Sequence, residues 1–168
     1  MNFENVMTIK LLITGGTIDK QYNELNGELI FTQSGIGDML AQGRAKLELS
    51  LETVMLKDSL ELDDNDRQKI LASCLACDES RIVITHGTDT MVETSQVLAA
   101  GIKEKTIVLL GAMVPYQFKN SDALFNLGCA IAAVQTLESG VYITMNGKVF
   151  NYDEVLKNKD LGEFQSIS

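Results

Sequence analysis

Thr8-Ile9-Lys10-Leu11-Leu12-Ile13-Thr14, followed at once by Gly15-Gly16-Thr17, is the stretch whose reading decides the fold. So nearly continuous an apolar run leaves no face for water, as in a parallel strand covered on both sides, and the Gly-Gly pair stops it. Arg81-Ile82-Val83-Ile84-Thr85 and Thr106-Ile107-Val108-Leu109-Leu110 repeat the pattern downstream, and Leu47–Leu56 reads as a further strand. Between them, helices are expected over Ile36–Gln42, Asp64–Cys77, Thr90–Ile102 and the small-residue-rich Asp122–Leu137. The second of these should carry Ile70, Leu71, Cys74 and Leu75 on one face. Val141–Phe150 reads as a strand, an Asn-Gly turn and a short return strand.

Alternating strands and helices imply right-handed crossovers and an open, mostly parallel sheet with helices on both faces. The expected class is therefore a three-layer α/β fold, Rossmann-like or flavodoxin-like, ending in a C-terminal β-hairpin. Gly15–Gln33 lacks a usable period and reads as a mobile, lid-like loop with a hairpin around Asn26-Gly27. Asn151–Ser168 is polar and reads as an irregular tail.

A chain of 168 residues with 45% hydrophobic content is long enough for one α/β domain with a continuous core. Nothing in the sequence divides it, so residues 1–168 are expected to form a single domain. Fourteen Lys and Arg against twenty-three Asp and Glu give a formal charge of −9, a field that repels phosphate backbones and anionic membranes. No apolar run approaches the ~20 residues of a membrane helix, and no basic region precedes an apolar stretch at the N-terminus. Nucleic acid and membrane are thus not expected partners. Cys74, Cys77 and Cys129 cannot form a fully paired set, which suits a reducing compartment, the cytoplasm.

Ligands of an open parallel sheet bind beyond the carboxyl ends of its strands. Three such ends carry polar chemistry: Gly15-Gly16-Thr17, Asp58-Ser59, and His86-Gly87-Thr88-Asp89-Thr90. These loops should share one rim. Gly16 and Gly87 allow close backbone approach to a ligand, and Thr17 offers a hydroxyl that a neighbouring base would have to activate. Thr88 and Asp89 could supply donors and a charged anchor. The competing reading is structural: Thr90-x-x-Glu93 is a capping-box pattern, so Thr88 and Thr90 would only satisfy amides at a helix start.

Other chemistries fit less well. No Gly-Lys-Ser/Thr or G-x-G-x-x-G follows the first strand, so nucleotide binding is disfavoured. Cys74 and Cys77 have redox or zinc spacing but lie within a helix without a second ligand pair, and are assigned to the core. His86 is the sole histidine and no Ser-His pairing signature accompanies it, which leaves it a structural role or one of supporting the site residues from behind. Asp63-Asp64-Asn65-Asp66 reads as a solvated helix start, and no cofactor or metal is expected.

Taken together, Ile13-Thr14-Gly15-Gly16-Thr17-Ile18 and Ile84-Thr85-His86-Gly87-Thr88-Asp89-Thr90-Met91 resemble the two signature segments of the bacterial-type L-asparaginase family. Gly111-Ala112-Met113, Asp122, Phe125-Asn126-Leu127 and Met145-Asn146 follow in the family's order. The resemblance implies hydrolysis of a carboxamide, asparagine foremost, to acid and ammonia through an ester on Thr17. It implies a second catalytic cluster of Thr88, Asp89 and Lys157, the last reached by counting from Met145-Asn146, with an ordinary surface lysine as the alternative. It further implies Tyr22 as the lid tyrosine that assists Thr17. Ser59 would bind the substrate α-carboxylate and Asp89 its α-ammonium. Family members are homo-oligomers in which a neighbouring subunit's carboxyl-terminal domain completes the site, and that domain is expected to be absent here.

The departures are specific. Leu60 stands where the family has a glutamine, Asp19 replaces a small residue after Gly-Gly-Thr-Ile, and Val114 replaces an arginine before Pro115. They keep open a binding or sensor domain for a small amino acid or amide, and an enzyme half that needs a partner subunit.

Overall fold

A computed structural model of the chain describes residues 7–167. The opening run forms β1 (Thr8–Gly15), and the supposed loop after it folds into a short 3-10 turn at Thr17–Asp19 and a small hairpin of β2 (Gln21–Tyr22) and β3 (Leu29–Ile30). Asn26-Gly27 lies in the hairpin's connecting loop, as its sequence suggests, with Gly27 at φ 77°. There follow α1 (Ile36–Gln42), β4 (Glu48–Lys57), α2 (Asp64–Ala76), β5 (Arg81–Thr85) and α3 (Met91–Gly101). The chain continues through β6 (Thr106–Leu110), α4 (Ala123–Thr136), β7 (Gly140–Met145) and β8 (Lys148–Asn151). No described helix is long and apolar enough to cross a membrane.

Six strands make one sheet in the order β4-β1-β5-β6-β7-β8, parallel throughout except for the last pair. Near-continuous apolar strands are needed because both faces are covered. Ile9, Leu11 and Ile13 of β1 pack with Val83, Val108 and Leu110 under α1 and α4. The intervening Leu12, with Ile82, Ile84, Ile107 and Leu109, packs under α2 and α3. β7 and β8 meet at Asn146-Gly147, where φ values of 50° and 83° give the left-handed pair that a tight hairpin requires.

The sequence expectation fails in four places. The crossovers do not share one hand: β5–α3–β6 and β6–α4–β7 advance in the same direction, yet α3 and α4 lie on opposite faces. The second therefore has the opposite hand to the first, against a rule that holds for about 98% of such units. Its cause is cover. The α2/α3 face already carries Phe150, Val155 and Phe164, and without α4 the other face of β5 and β6 would be bare.

The tail is also ordered: β9 (Val155–Asn158) and β10 (Glu163–Ser166) form an antiparallel hairpin whose Val155 and Phe164 are buried in the core. One apolar anchor per strand is too weak a signal to read beforehand, because strand formation depends on what the anchor packs against. Leu75 of α2 is exposed rather than in the apolar face, and Cys77 lies past the end of that helix, as its C-cap, half-buried. Finally, the helix start at Asp63–Asp66 is solvated only in part: Asp63, Asp64 and Asn65 are exposed, and Asp66 is the exception. Asp66 is buried, closes a capping box with Asp63, and accepts from Lys57 at 2.6 Å and Lys69 at 3.2 Å.

Candidate active site

From β1 the chain passes to β4 on one side of it, and from β4 it crosses to β5 on the other. Loops leaving β1 and β5 therefore diverge to opposite faces, which opens a crevice at their carboxyl ends. The three polar loops do meet there. A Cβ on Gly16, itself at φ 82°, would stand 2.4 Å from the Gly87 amide nitrogen, and one on Gly87 would stand 2.5 Å from Ser59 Cβ and Oγ. Only glycine lets these backbones touch. Thr17 and Thr88 follow the contact by one residue on each loop.

Hydroxyls then tie the loops together. Thr14 Oγ1 donates to the Thr85 carbonyl at 2.7 Å, and the Gly16 amide donates to the Lys57 carbonyl at 2.8 Å. Thr90 Oγ1 donates to the Ser59 carbonyl at 2.8 Å and makes no cap on α3, so the capping-box reading of this segment is wrong. Loop-to-loop bonding has taken the hydroxyl that the pattern assigned to the helix.

His86 is fully buried, with Nδ1 2.7 Å from the Gly87 carbonyl and Nε2 2.8 Å from Thr94 Oγ1. A carbonyl only accepts, so Nδ1 carries the proton and Thr94 donates to Nε2. Burial pushes the imidazole pKa down to about 4, and the neutral ring holds the Gly87 peptide in place. That is the structural role its isolation in the sequence implied.

Lys157, on β9, reaches into the crevice. Its Nζ donates to Thr88 Oγ1 at 2.8 Å and to Asp89 Oδ1 at 2.7 Å. Only 11% of the lysine side chain is exposed, which removes the surface-lysine alternative. Thr88 is buried, while Asp89 is about one-third exposed and its Oδ2 has no hydrogen-bond partner among the described residues. Behind Thr88, a Cβ on Gly111 would meet the His86 carbonyl at 2.5 Å and Thr88 Cγ2 at 3.0 Å, so the β6 loop is the wall against which the threonine packs.

Thr17 is half-buried in its 3-10 turn, and its hydroxyl has no hydrogen-bond partner among the described residues. Ser59 is buried with an unpartnered Oγ. Tyr22 is not brought to Thr17: it is 56% exposed and packs edge-on against Phe118, ring centroids 6.5 Å apart. Leu60, in the glutamine position, points to solvent at 69% exposure.

Two features of the site escaped the sequence. Lys20 pairs with Asp58, the residue before Ser59. Burial pushes the Asp58 carboxyl up, but Lys20, the Leu60 amide and the charge on Lys157 together hold it below its ordinary value. Asp122 gathers the later motif residues, accepting from the amides of Met113 and Val114 at 3.0 Å and from the side chains of Asn126 and Asn146. Asn126 in turn donates to the Gly111 carbonyl at 2.9 Å and accepts from the Asn146 amide at 3.0 Å. Polar pairs spaced as irregularly as these, from 4 residues for Asn126–Asp122 to 38 for Lys20–Asp58, leave no periodic signal.

Fold and site together define an open, mostly parallel α/β domain with a crevice of hydroxyls and two lysine–carboxylate pairs, Lys157–Asp89 and Lys20–Asp58, at its strand switch point. Residues 8–167 match the family described as "Asparaginase, N-terminal", and the chain belongs to that family. The L-asparaginase of Thermococcus kodakarensis is 33% identical over 171 aligned positions, covering 96% of this chain and 52% of that protein. A solved structure of the thermostable L-asparaginase from that organism superposes with a TM-score of 0.83 at 32% identity, over 95% of this chain and 51% of the other. A probable cytoplasmic L-asparaginase from Campylobacter jejuni gives 0.81 at 30% identity, over 95% and 52%. The chain spans about half the length of the curated relatives it matches.

Proposed function

We propose that this domain carries the nucleophile and proton-transfer groups of an amidohydrolase that takes L-asparagine or a related amide. The observation that carries the reading is the Lys157 ammonium held between Thr88 Oγ1 and Asp89 Oδ1, on the loop that touches the Thr17 turn. Thr17 Oγ attacks the carboxamide carbon, and its proton passes by way of the Thr88 hydroxyl and the Lys157 ammonium, each giving one proton as it takes another, to the Asp89 carboxylate, and the same relay returns a proton to the departing nitrogen. Ammonia leaves, an ester on Thr17 remains, and water cleaves it to release the acid and restore the hydroxyl. A weak nucleophile requires this kind of assistance.

The orphaned donor on buried Ser59 suits a substrate carboxylate, and the free Oδ2 of Asp89 suits an α-ammonium. Gly16 and Gly87 bring backbone within reach of the amide. Tyr22 would join Thr17 only if the β2–β3 hairpin swung inward on substrate binding. The partly open side, toward Thr17 and Asp89, is where a neighbouring subunit's acidic residue is proposed to enter, which makes the active form a homo-oligomer. Three free cysteines agree with the cytoplasm as its compartment.

Ammonia release from a panel of amides, compared between the parent chain and Thr17→Ala, tests the reading. Release by the parent and its loss in the variant is expected. Saturable binding of an amino acid without release would overturn it in favour of a sensor domain, for which the solvent-facing Leu60 is the specific argument.

A further inference from the structure

Asp19, two residues beyond Thr17, is a carboxylate only 3% exposed, in a position where the family carries a small side chain. Its Oδ1 accepts from the Ser34 hydroxyl at 2.8 Å and from the Gly35 amide at 2.9 Å, and Ser34 Oγ accepts in turn from the Ile36 amide at 3.2 Å. Oδ2 is buried without a partner. A half-satisfied buried carboxylate is unfavourable for stability, and a small residue would avoid the cost. What it provides is geometric. Residues 19 and 34–35 are the two ends of the segment that carries the β2–β3 hairpin, so one carboxyl oxygen holds the segment's exit to its entrance.

The neighbouring residue continues the restraint. Lys20 pairs with Asp58, and its Nζ lies 6.0 Å from the centre of the Phe31 ring on the returning arm. Inside the segment, Gln21 Nε2 donates to the Gln33 carbonyl at 3.1 Å and Thr32 Oγ1 donates to Gln21 Oε1 at 2.6 Å. Outside it, the Tyr116 amide donates to the Ile18 carbonyl at 3.3 Å. Asp19 thus sits at the junction of the nucleophile turn, the hairpin and α1. The charged and titratable groups that share the small cavity beside it, about 110 Å³, are Lys20, Asp38 of α1 and Tyr116.

We infer that Asp19 is a positioning residue that closes the hairpin segment at its base and so fixes the place of the Thr17 turn and the reach of the β2–β3 lid over it. The inference rests on the amidohydrolase reading above, but its first test does not. Hydrogen exchange of amides 20–34 is measured without substrate on the full chain, for the parent, Asp19→Ala and Asp19→Asn. Alanine removes the acceptor and should speed exchange at least about tenfold, while asparagine retains one carbonyl oxygen for Ser34 and Gly35 and should restore protection. In ammonia release, alanine should lower kcat about 10- to 100-fold with KM nearly unchanged, and asparagine should recover most of it. Should Asp19→Ala fail to fold, Ser34→Ala removes one donor from outside the buried position and carries the same expectations in smaller degree.

Parent-like exchange and kcat in the alanine variant would overturn the inference, as would an asparagine variant as impaired as alanine. A parent that releases no ammonia from any amide refutes the amidohydrolase reading instead. The exchange data then decide by themselves whether Asp19 holds the segment.

Discussion

Replacing Gly87 with alanine tests whether the crevice depends on backbone contact between its loops. The residue has no left-handed backbone to strain, so the effect is steric. The added Cβ would lie 2.5 Å from Ser59 Cβ and Oγ and 2.9 Å from the Ser59 nitrogen. Carbon atoms pack at about 3.5 Å, so something must move by about 1 Å. Neither neighbour can yield easily: the Ser59 carbonyl is held by Thr90 Oγ1 at 2.8 Å, and the Gly87 carbonyl by His86 Nδ1 at 2.7 Å. Overpacking of this kind costs about 1–3 kcal/mol, and a displacement of about 1 Å among reacting groups lowers turnover about 100-fold. Urea unfolding read by circular dichroism gives the first quantity, and ammonia release from asparagine the second. A variant with parental stability and parental turnover would refute the claim that these loops are fixed by mutual contact. Loss of turnover with stability intact would locate the whole effect in the placement of Thr88 and Ser59.

Lys157→Met preserves length and apolar stem but leaves Thr88 Oγ1 and Asp89 without their shared donor. Turnover should fall by about 10²- to 10⁴-fold with substrate binding, measured calorimetrically, nearly intact, and unchanged turnover would remove the lysine from the mechanism. The Lys57–Asp66 pair predicts acid sensitivity. Lys57 foremost, helped by Lys69 and the Asp63 amide and opposed by burial, holds the Asp66 pKa at about 2 against an ordinary 3.8, so the stabilisation is present above 3.8 and lost as pH falls through about 2. Lys57→Met should destabilise the domain at pH 7 by a small but measurable amount, because the lysine is exposed and solvent screens the pair. Unfolding curves of parent and variant should converge toward pH 2, and a pH-independent difference would show that the pair acts through packing alone.

The strands β1, β5 and β6 were legible because a strand buried on both faces must be apolar at every position, which needs no knowledge of its neighbours. The same holds for the Gly-Gly stop and the Asn146-Gly147 hairpin, whose backbone demands are local. β9 and β10 were not legible, since Val155 and Phe164 become anchors only against a core built by residues far away in the chain. Lys157 was reached by resemblance and counting, and its alternative as a surface side chain fell only when Thr88 and Asp89 were found within 2.8 Å of it. Thr90 shows the reverse error: a local capping pattern yielded to a partner, the Ser59 carbonyl, that lies 31 residues away.

The sequence alone therefore determined the layers of this protein, the order along the chain of the six sheet strands and four helices, and the three loops that carry polar side chains. Periodicity and turn chemistry are properties of a few adjacent residues. Only the tertiary structure decided the strand order in the sheet, the opposite hand of the β6–α4–β7 crossover, and the Lys20–Asp58 and Asp19–Ser34 ties. Those depend on which faces still need cover and which buried polar atoms still need partners, and both are settled only when distant segments pack together.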